Sequence, residues 1–346
     1  MKRLVISLGV CVALACAACG KKSDSNNGPS PELTGLAAVP ASAEVVIGVN
    51  VPKLGQSQVV ERAIDQVLLR EPSLLANWQA MRDGCKIEIS KQIKHITLAI
   101  GATPAGGKPG TGPLLAVATG QIPEHDLAEC VKKIVGKGNG TVSGKDANGR
   151  TLYQVKDGER MMFFAFGRAD TVVLGNNEAF VVEALGTGAK AIDHPELSRL
   201  LKMVNQNGPI WAVGRVDERV KPGMVRVTKG KMKAGPSAFL ANLDPSNGVK
   251  AELGVLTATP EDAKVLESYA TEEKKLLAAI LQGSQAFGQL ISKVEITSEG
   301  SVVWLRGNAE IEEINRVFNA LDAKAPSEQV SPPPSGSGSS ESPKNP

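Results

Sequence analysis

Apolar and polar positions along this chain follow two periods, and the switches between them mark out the elements. Glu44 to Val51 is an apolar run rich in β-branched residues and predicts a strand. After Gly55 the period lengthens: Val59, Val60, Ala63, Ile64, Val67 and Leu68 fall on one helical face. A second helix is predicted over Ser73 to Arg82, carried by Leu74, Leu75, Trp78 and Met81. His95 to Ile100 and Leu114 to Thr119 predict strands, with a Gly/Pro-rich loop at 101–112 between them. Pro123 opens a helix through Leu127, Cys130, Val131 and Ile134. Glu124 and Asp126 lie in its first turn, where the helix dipole favours anions. Strands follow at Thr151 to Lys156, Met161 to Phe166 and Thr171 to Leu174, with turn signals at Asp146-Ala147-Asn148-Gly149 and Asp157-Gly158. A helix from Glu178 to Leu185 closes this half.

The second half runs in the same order. Ile210 to Val216 resembles Val45 to Val51, and Val249 to Thr259 ends in Pro260 as the earlier strand ends in Pro123. Glu261 and Asp262 again place acids in a first helical turn. Ser292 to Ile296 and Val302 to Gly307 predict a hairpin, and Asn308 precedes a helix through Ile311, Ile314, Phe318 and Leu321. Val172-Val173-Leu174-Gly175-Asn176 matches Val303-Trp304-Leu305-Arg306-Gly307-Asn308 in kind. This reads as an internal duplication. Grouped strands with helices between the groups predict an α+β fold of two similar halves, 37–190 and 205–324, each an antiparallel sheet with helices packed on one face. The sequence leaves open whether the halves share one sheet.

The two ends are different in kind. Lys2 and Arg3 precede an apolar run from Leu4 to Ala18, the length of a signal-peptide core and too short for a membrane span of ~20 residues. The run ends Leu14-Ala15-Cys16-Ala17-Ala18-Cys19-Gly20, which resembles a bacterial lipobox. The expectation is a signal peptide over 1–18 and lipid on Cys19, with 19–36 as a polar tether. Cys16 competes, but apolar residues follow it, whereas Lys21-Lys22-Ser23-Asp24 follows Cys19 and Gly20 directly. An ordinary cleaved signal is the alternative, since A-x-A-like sites are also present. A multiply acylated terminus would hold the protein on a membrane, and in Gram-negative envelopes Gly20 after the cysteine implies the outer membrane. Residues 325–346 are rich in Pro, Ser and Gly and read as a disordered tail.

Of five cysteines, Cys11, Cys16 and Cys19 belong to the leader and anchor, which leaves Cys85 and Cys130 in the folded body. In an oxidising compartment they predict one disulfide, with two separate buried thiols as the alternative.

Composition narrows the functions. The formal charge is +3, and Lys2 and Arg3 leave with the signal, so the mature protein is close to neutral. That argues against a dedicated nucleic-acid binder. Aromatic residues make up 3%, too few for base-stacking platforms. His95, His125 and His194 fit no zinc pattern, and neither a G-x-S-x-G elbow nor a phosphate-binding loop is present. Asp146-x-Asn148-Gly149 lacks the remaining ligands of a calcium loop and reads as a hairpin turn. No metal or cofactor is expected. One charge feature remains. Arg219, Lys221, Arg226, Lys229, Lys231 and Lys233 occur with no acidic residue from Arg219 to Leu243. Such a run suits an anionic lipid surface. Its bland reading, favoured by Gly223, Gly230 and Gly235, is a solvated mobile loop.

With the lipobox at Leu14 to Cys19, the opening Val39-Pro40-Ala41-Ser42-Ala43-Glu44-Val45-Val46 and the lone Cys85/Cys130 pair, the chain resembles uncharacterised envelope lipoproteins of deltaproteobacteria. The resemblance implies an address and a duplicated α+β body, with no activity. The leading expectation is a lipid-anchored, non-enzymatic binding or scaffold module, held by its lipid and open to an envelope protein partner. A carrier or chaperone for lipid or hydrophobic polypeptide comes second, and a carboxylate-pair hydrolase third. Replacing Cys19 with alanine is expected to move the protein from the membrane to the soluble fraction; membrane retention with unaltered processing would remove the anchor from Cys19.

Overall fold

The computed structural model describes residues 33, 35–85, 88–121, 123–168, 170–281 and 285–322. The expectations for the leader, Cys16, Cys19, the tether before Leu33 and the 325–346 tail lie outside these residues.

Strand β1 (Ala43–Asn50) forms early in the chain and ends up in the middle of the sheet. After it come α1 (Gln58–Arg70), α2 (Pro72–Gln79), β2 (Ile93–Gly101), β3 (Leu114–Gly120) and α3 (Glu124–Lys137). A meander of β4 (Thr141–Ala147), β5 (Arg150–Asp157), β6 (Arg160–Arg168) and β7 (Thr171–Gly175) leads into α4 (Glu178–Leu185) and α5 (Pro195–Met203). The remainder is β8 (Ile210–Arg215), α6 (Lys221–Val227), β9 (Ala238–Asp244), β10 (Val249–Leu256), α7 (Pro260–Ile280), α8 (Gln285–Ser292), β11 (Glu295–Glu299), β12 (Val302–Ala309) and α9 (Ile311–Asp322).

All strands join one antiparallel 12-stranded sheet in the order β11-β12-β10-β9-β8-β1-β2-β3-β7-β6-β5-β4. The halves therefore share a sheet, joined where β1 pairs with β8: Val45 faces Gly214, Ile47 faces Ala212 and Val49 faces Ile210. Local chemistry starts the helices. Ser57 caps α1 by accepting from Val60 N at 3.2 Å, Asn177 caps α4 through Phe180 N at 3.0 Å, and Thr259 caps α7 through Asp262 N at 3.1 Å. Pro260 takes the first position of α7, as expected; Pro123 sits one place earlier, as the N-cap of α3.

Helices lie on both faces of the sheet, which corrects the one-face expectation. On one face Val46, Val117, Val173, Trp211, Val213, Leu240 and Leu256 are buried with Phe180 and Val181 of α4 and Leu197 and Leu200 of α5. On the other, Ile96, Ala116, Phe164 and Leu174 are buried beneath Leu127, Cys130 and Val131 of α3. The reason is in β3 and β7. Leu115, Ala116, Val117 and Ala118 are all buried, as are Val172, Val173 and Leu174, and a strand apolar at successive positions needs cover on both sides.

The second of these faces has two helix footings. Helix α3 packs on β4 and β5, and α7 packs on β11 and β12. Between them α7, α8, α9, α1 and α2 pack in that succession. Arg62 of α1 ties α1 to α9 by bonding Asn315 Oδ1 and Asn319 Oδ1 and stacking over Phe318 at 5.2 Å. Cys85 and Cys130 meet with Cα atoms 5.6 Å apart, joining the far end of this succession to α3. In the chain-entropy model a loop of this length stabilises by about 4 kcal/mol.

Gly48 on β1 sits under Trp211 of β8. A Cβ there would lie 2.1 Å from the indole ring. Only glycine lets the two strands pair with the tryptophan folded over them. Gly48→Ala is expected to destabilise the protein by at least ~2 kcal/mol, since a packed core relieves such overlap only by shifting the ring or strand. Urea denaturation checks this, and an unchanged midpoint would show the ring is free to move.

Candidate binding surface

Alternation along the central strands sorts their side chains into two sets. Val46 of β1 and Trp211, Val213, Leu240 and Leu256 of its neighbours point to the face covered by α4 and α5, and all are buried. The other set points to the face that carries the two helix footings. Strand register arranges it in three rows: Val45–Gly214–Phe239–Val255, Ile47–Ala212–Ala241–Leu253 and Val49–Ile210–Leu243–Ala251. All twelve positions are apolar. Yet Gly214 alone is fully buried; ten are half-buried and Leu253 is 36% exposed.

The middle row shows where cover is lost. Followed the other way from Ile47 it runs through Leu98, Ala116, Leu174 and Phe164, and the last three are buried. Side chains of the same character are thus sealed under α3 and only partly covered over β1, β8, β9 and β10. These strands are interior, paired on both sides, so their backbone groups are spent in the ladders. The strip offers apolar contact and no hydrogen bonds.

One end of the strip is bordered by the segment that carries the basic run. Met224 of α6 and Met232 pack with Val255, Val303, Ala263 and Leu266, and Met232 is fully buried. Thr228 is buried, donating to Met224 O and Val225 O at 3.0 Å and accepting from Met232 N at 3.4 Å. The buried Asp262 carboxylate accepts from Lys233 N at 2.6 Å and Ala234 N at 3.3 Å. Lys229 and Gly230 end α6 in the left-handed region, at φ 55° and 72°. This is a folded cap, not the loose loop that its glycines and charges suggested.

The six basic residues divide into two groups. Arg219 is held by Asp217 at 2.5 Å and donates to Gly107 O at 2.8 Å, and Lys221 pairs with Glu218. Arg226, Lys229, Lys231 and Lys233 are exposed and have no ion-pair partner among the described residues. The side-chain and backbone bonds from Arg219 pull the Asp217 pKa down to about 2.

Other candidates are already occupied. His194 caps α5, its Nδ1 accepting from Leu197 N at 3.5 Å, while His95 and His125 are exposed. Among the described residues no group of three or more His, Cys, Asp or Glu is gathered as metal ligands would be. Tyr153 donates to Glu124 Oε1 at 3.0 Å, and burial followed by this carboxylate pushes its pKa up to about 12. Lys190 is buried and donates to Glu183 O and Ala184 O, closing the C-terminus of α4; burial lowers its pKa. A hollow of about 670 Å³ beside α7 and β11 is lined by Thr271, Lys274, Lys293, Glu295 and Asn308. Its lysines are spent on Val294 O and Glu313.

No protein-family model matches the chain, and no curated protein matches it. Among solved structures it is similar to TP0453 in crystal form I, at 10% sequence identity and a TM-score of 0.44, covering 86% of this chain and 99% of that one.

Sequence reasoning found the basic run and the cysteine pair but missed the strip, because how much cover these strands receive is set by helices distant in sequence and leaves no local mark. One consequence of the cap is directly measurable. Asp217 is expected to titrate near 2 by carboxyl NMR, and Arg219→Ala should return it toward ~3.9. Because the folded pKa is the lower one, this carboxylate adds stability above ~3.9 that is lost as pH falls toward 2. A midpoint unmoved by Arg219→Ala would contradict the pairing.

Proposed function

We propose that this chain is a lipid-anchored, non-enzymatic binding protein of the cell envelope, tethered through Cys19 at the outer membrane, that holds the aliphatic chain of a lipid against the Val45–Val255 strip. The observation that carries the proposal is the contrast across one set of strands. Val46 of β1, Trp211 and Val213 of β8, Leu240 of β9 and Leu256 of β10 are buried on the α4 and α5 face, while eleven of the twelve apolar positions on the reverse face are left with incomplete cover.

The occupant follows from the lining. A hydrocarbon chain needs no hydrogen bonds, and the strip supplies none. An extended polypeptide would gain most at a sheet edge, where backbone groups are unpaired. The edges here are β4 and β11, and the strip touches neither. Covering a side chain such as Leu253 or Ile47 is worth about 1.5–3 kcal/mol per residue going from exposed to buried. The carrier reading therefore stands ahead of a protein scaffold. Glu129, Asp217, Asp244 and Glu313 each have their pKa lowered by their own hydrogen-bond donor. We also infer that the two halves arose by duplication. Outward from the joint, β1, β2, β3, β7 and β8, β9, β10, β12 follow one another in the same way, with α3 after β3 and α7 after β10.

The mature chain is expected to bind a fluorescent long-chain fatty acid saturably, at one site per molecule. Leu253→Glu sets a charge on the strip at an exposed position that tolerates it, and should weaken binding at least about tenfold while leaving the melting temperature unchanged. Absence of saturable binding, or equal binding by the variant, would overturn the proposal.

A further inference from the structure

The folded cap between β8 and β9 has two sides with opposite chemistry. Its inner side is Met224, Thr228 and Met232, locked to the Asp262 end of α7. Its exposed side carries Arg226, Lys229, Lys231 and Lys233, all free of ion pairs among the described residues, and at helical spacing Val220 and Val227, 38% and 47% exposed, flank Met224. We propose that this exposed side is a docking surface for an anionic membrane, with the four cations on lipid headgroups and the two flanking valines at the border of the contact.

Three features point to a membrane as the partner. First, the two acids just before the run are already paired, Asp217 with Arg219 and Glu218 with Lys221. The remaining four cations have no ion-pair partner among the described residues. Second, exposed valines on the same cap as the cations suit a surface that is charged outside and oily just beneath, as the lipid interface is. A solvated charge cluster gains nothing from them. Third, the scaffold is rigid where it must be. Burial of Met232 and Thr228 fixes the backbone that carries the cations, so no backbone entropy is lost on contact. The expected anchor keeps a membrane at hand: thirteen residues lie between Cys19 and Leu33, and the span reaches at most ~50 Å. The proposal does not depend on lipid in the strip. Docking would, however, bring the Val255 end of the strip, which the cap borders, toward the bilayer.

The test uses unacylated mature protein, residues 20–346, so that the anchor cannot supply the binding. It is sedimented with phosphatidylcholine vesicles containing about one-third phosphatidylglycerol, and with neutral phosphatidylcholine vesicles. Binding is expected on the anionic vesicles alone and should fall steeply as salt rises to about 0.5 M. A variant carrying Arg226→Gln, Lys229→Asn, Lys231→Gln and Lys233→Gln keeps the left-handed residue at 229 acceptable, since asparagine tolerates it. It should bind at least about a hundredfold more weakly, each cation being worth about fivefold at such a surface. A second variant removes equal charge elsewhere, by Lys94→Gln, Lys202→Gln, Lys250→Gln and Lys275→Gln, all exposed positions, and should bind within about threefold of the native protein. Native-like binding by the cap variant overturns the proposal. So does equal loss in the second variant, equal binding to neutral vesicles, or binding to no vesicle.

Discussion

The antiparallel contact between β1 and β8 is the joint on which the rest of this molecule depends. It connects residues about 165 apart in sequence into a ladder of five facing pairs, from Val45–Gly214 to Val49–Ile210. Without it there would be two sheets, each with a long apolar edge exposed to further pairing. With it there is one sheet whose edges are β4 and β11, far from the middle. Gly48 and Trp211 show how closely the joint is fitted, since the indole occupies the space of the missing Cβ.

Joining the halves creates the apolar strip. The strands at the joint are covered on one side by α4 and α5. On the reverse side the helix footings stand apart, α3 over β4 and β5 and α7 over β11 and β12, and the strands between have lighter cover. Helix α1 reflects the same arrangement. It is amphipathic, yet none of its residues is fully buried, and Ile64, Val67 and Leu69 stay exposed. A chain that only had to be stable would close such a surface, because each large side chain left open forgoes stabilisation of order 1–3 kcal/mol. The partly covered middle is what the proposed lipid site rests on.

Much of the fold was legible because it is written in local chemistry. Prolines at 123 and 260, acids in first turns and periodic apolar runs placed α3, α7 and most strands within a few residues. Helix α5 was overlooked although Pro195, Glu196, Leu197, Leu200 and Leu201 carry the same marks; two missed strands lack them. Strand β4 reads Thr-Val-Ser-Gly-Lys-Asp-Ala, polar on both sides as suits an edge, and β9, which follows the basic run, was overlooked. The hairpin strand expected at Ser292 starts instead at Glu295, since Ser292 still belongs to α8. The shared sheet could not be read because pairing across some 165 residues leaves no local trace. The Cys85–Cys130 pair was legible by elimination alone. At the cap, the charges were visible in sequence, but their scaffold was not: Met232, Thr228 and Asp262 act through burial and hydrogen bonds to distant partners.

The central claim is that the reverse face of β1, β8, β9 and β10 holds a lipid chain. The most direct measurement is native mass spectrometry of the mature protein purified from its own envelope without stripping detergents, compared with the same sample denatured. The account predicts a native species heavier than the denatured one by the mass of a single non-covalent lipid, released on unfolding. Identical native and denatured masses across preparations would contradict it and leave the strip without its proposed occupant.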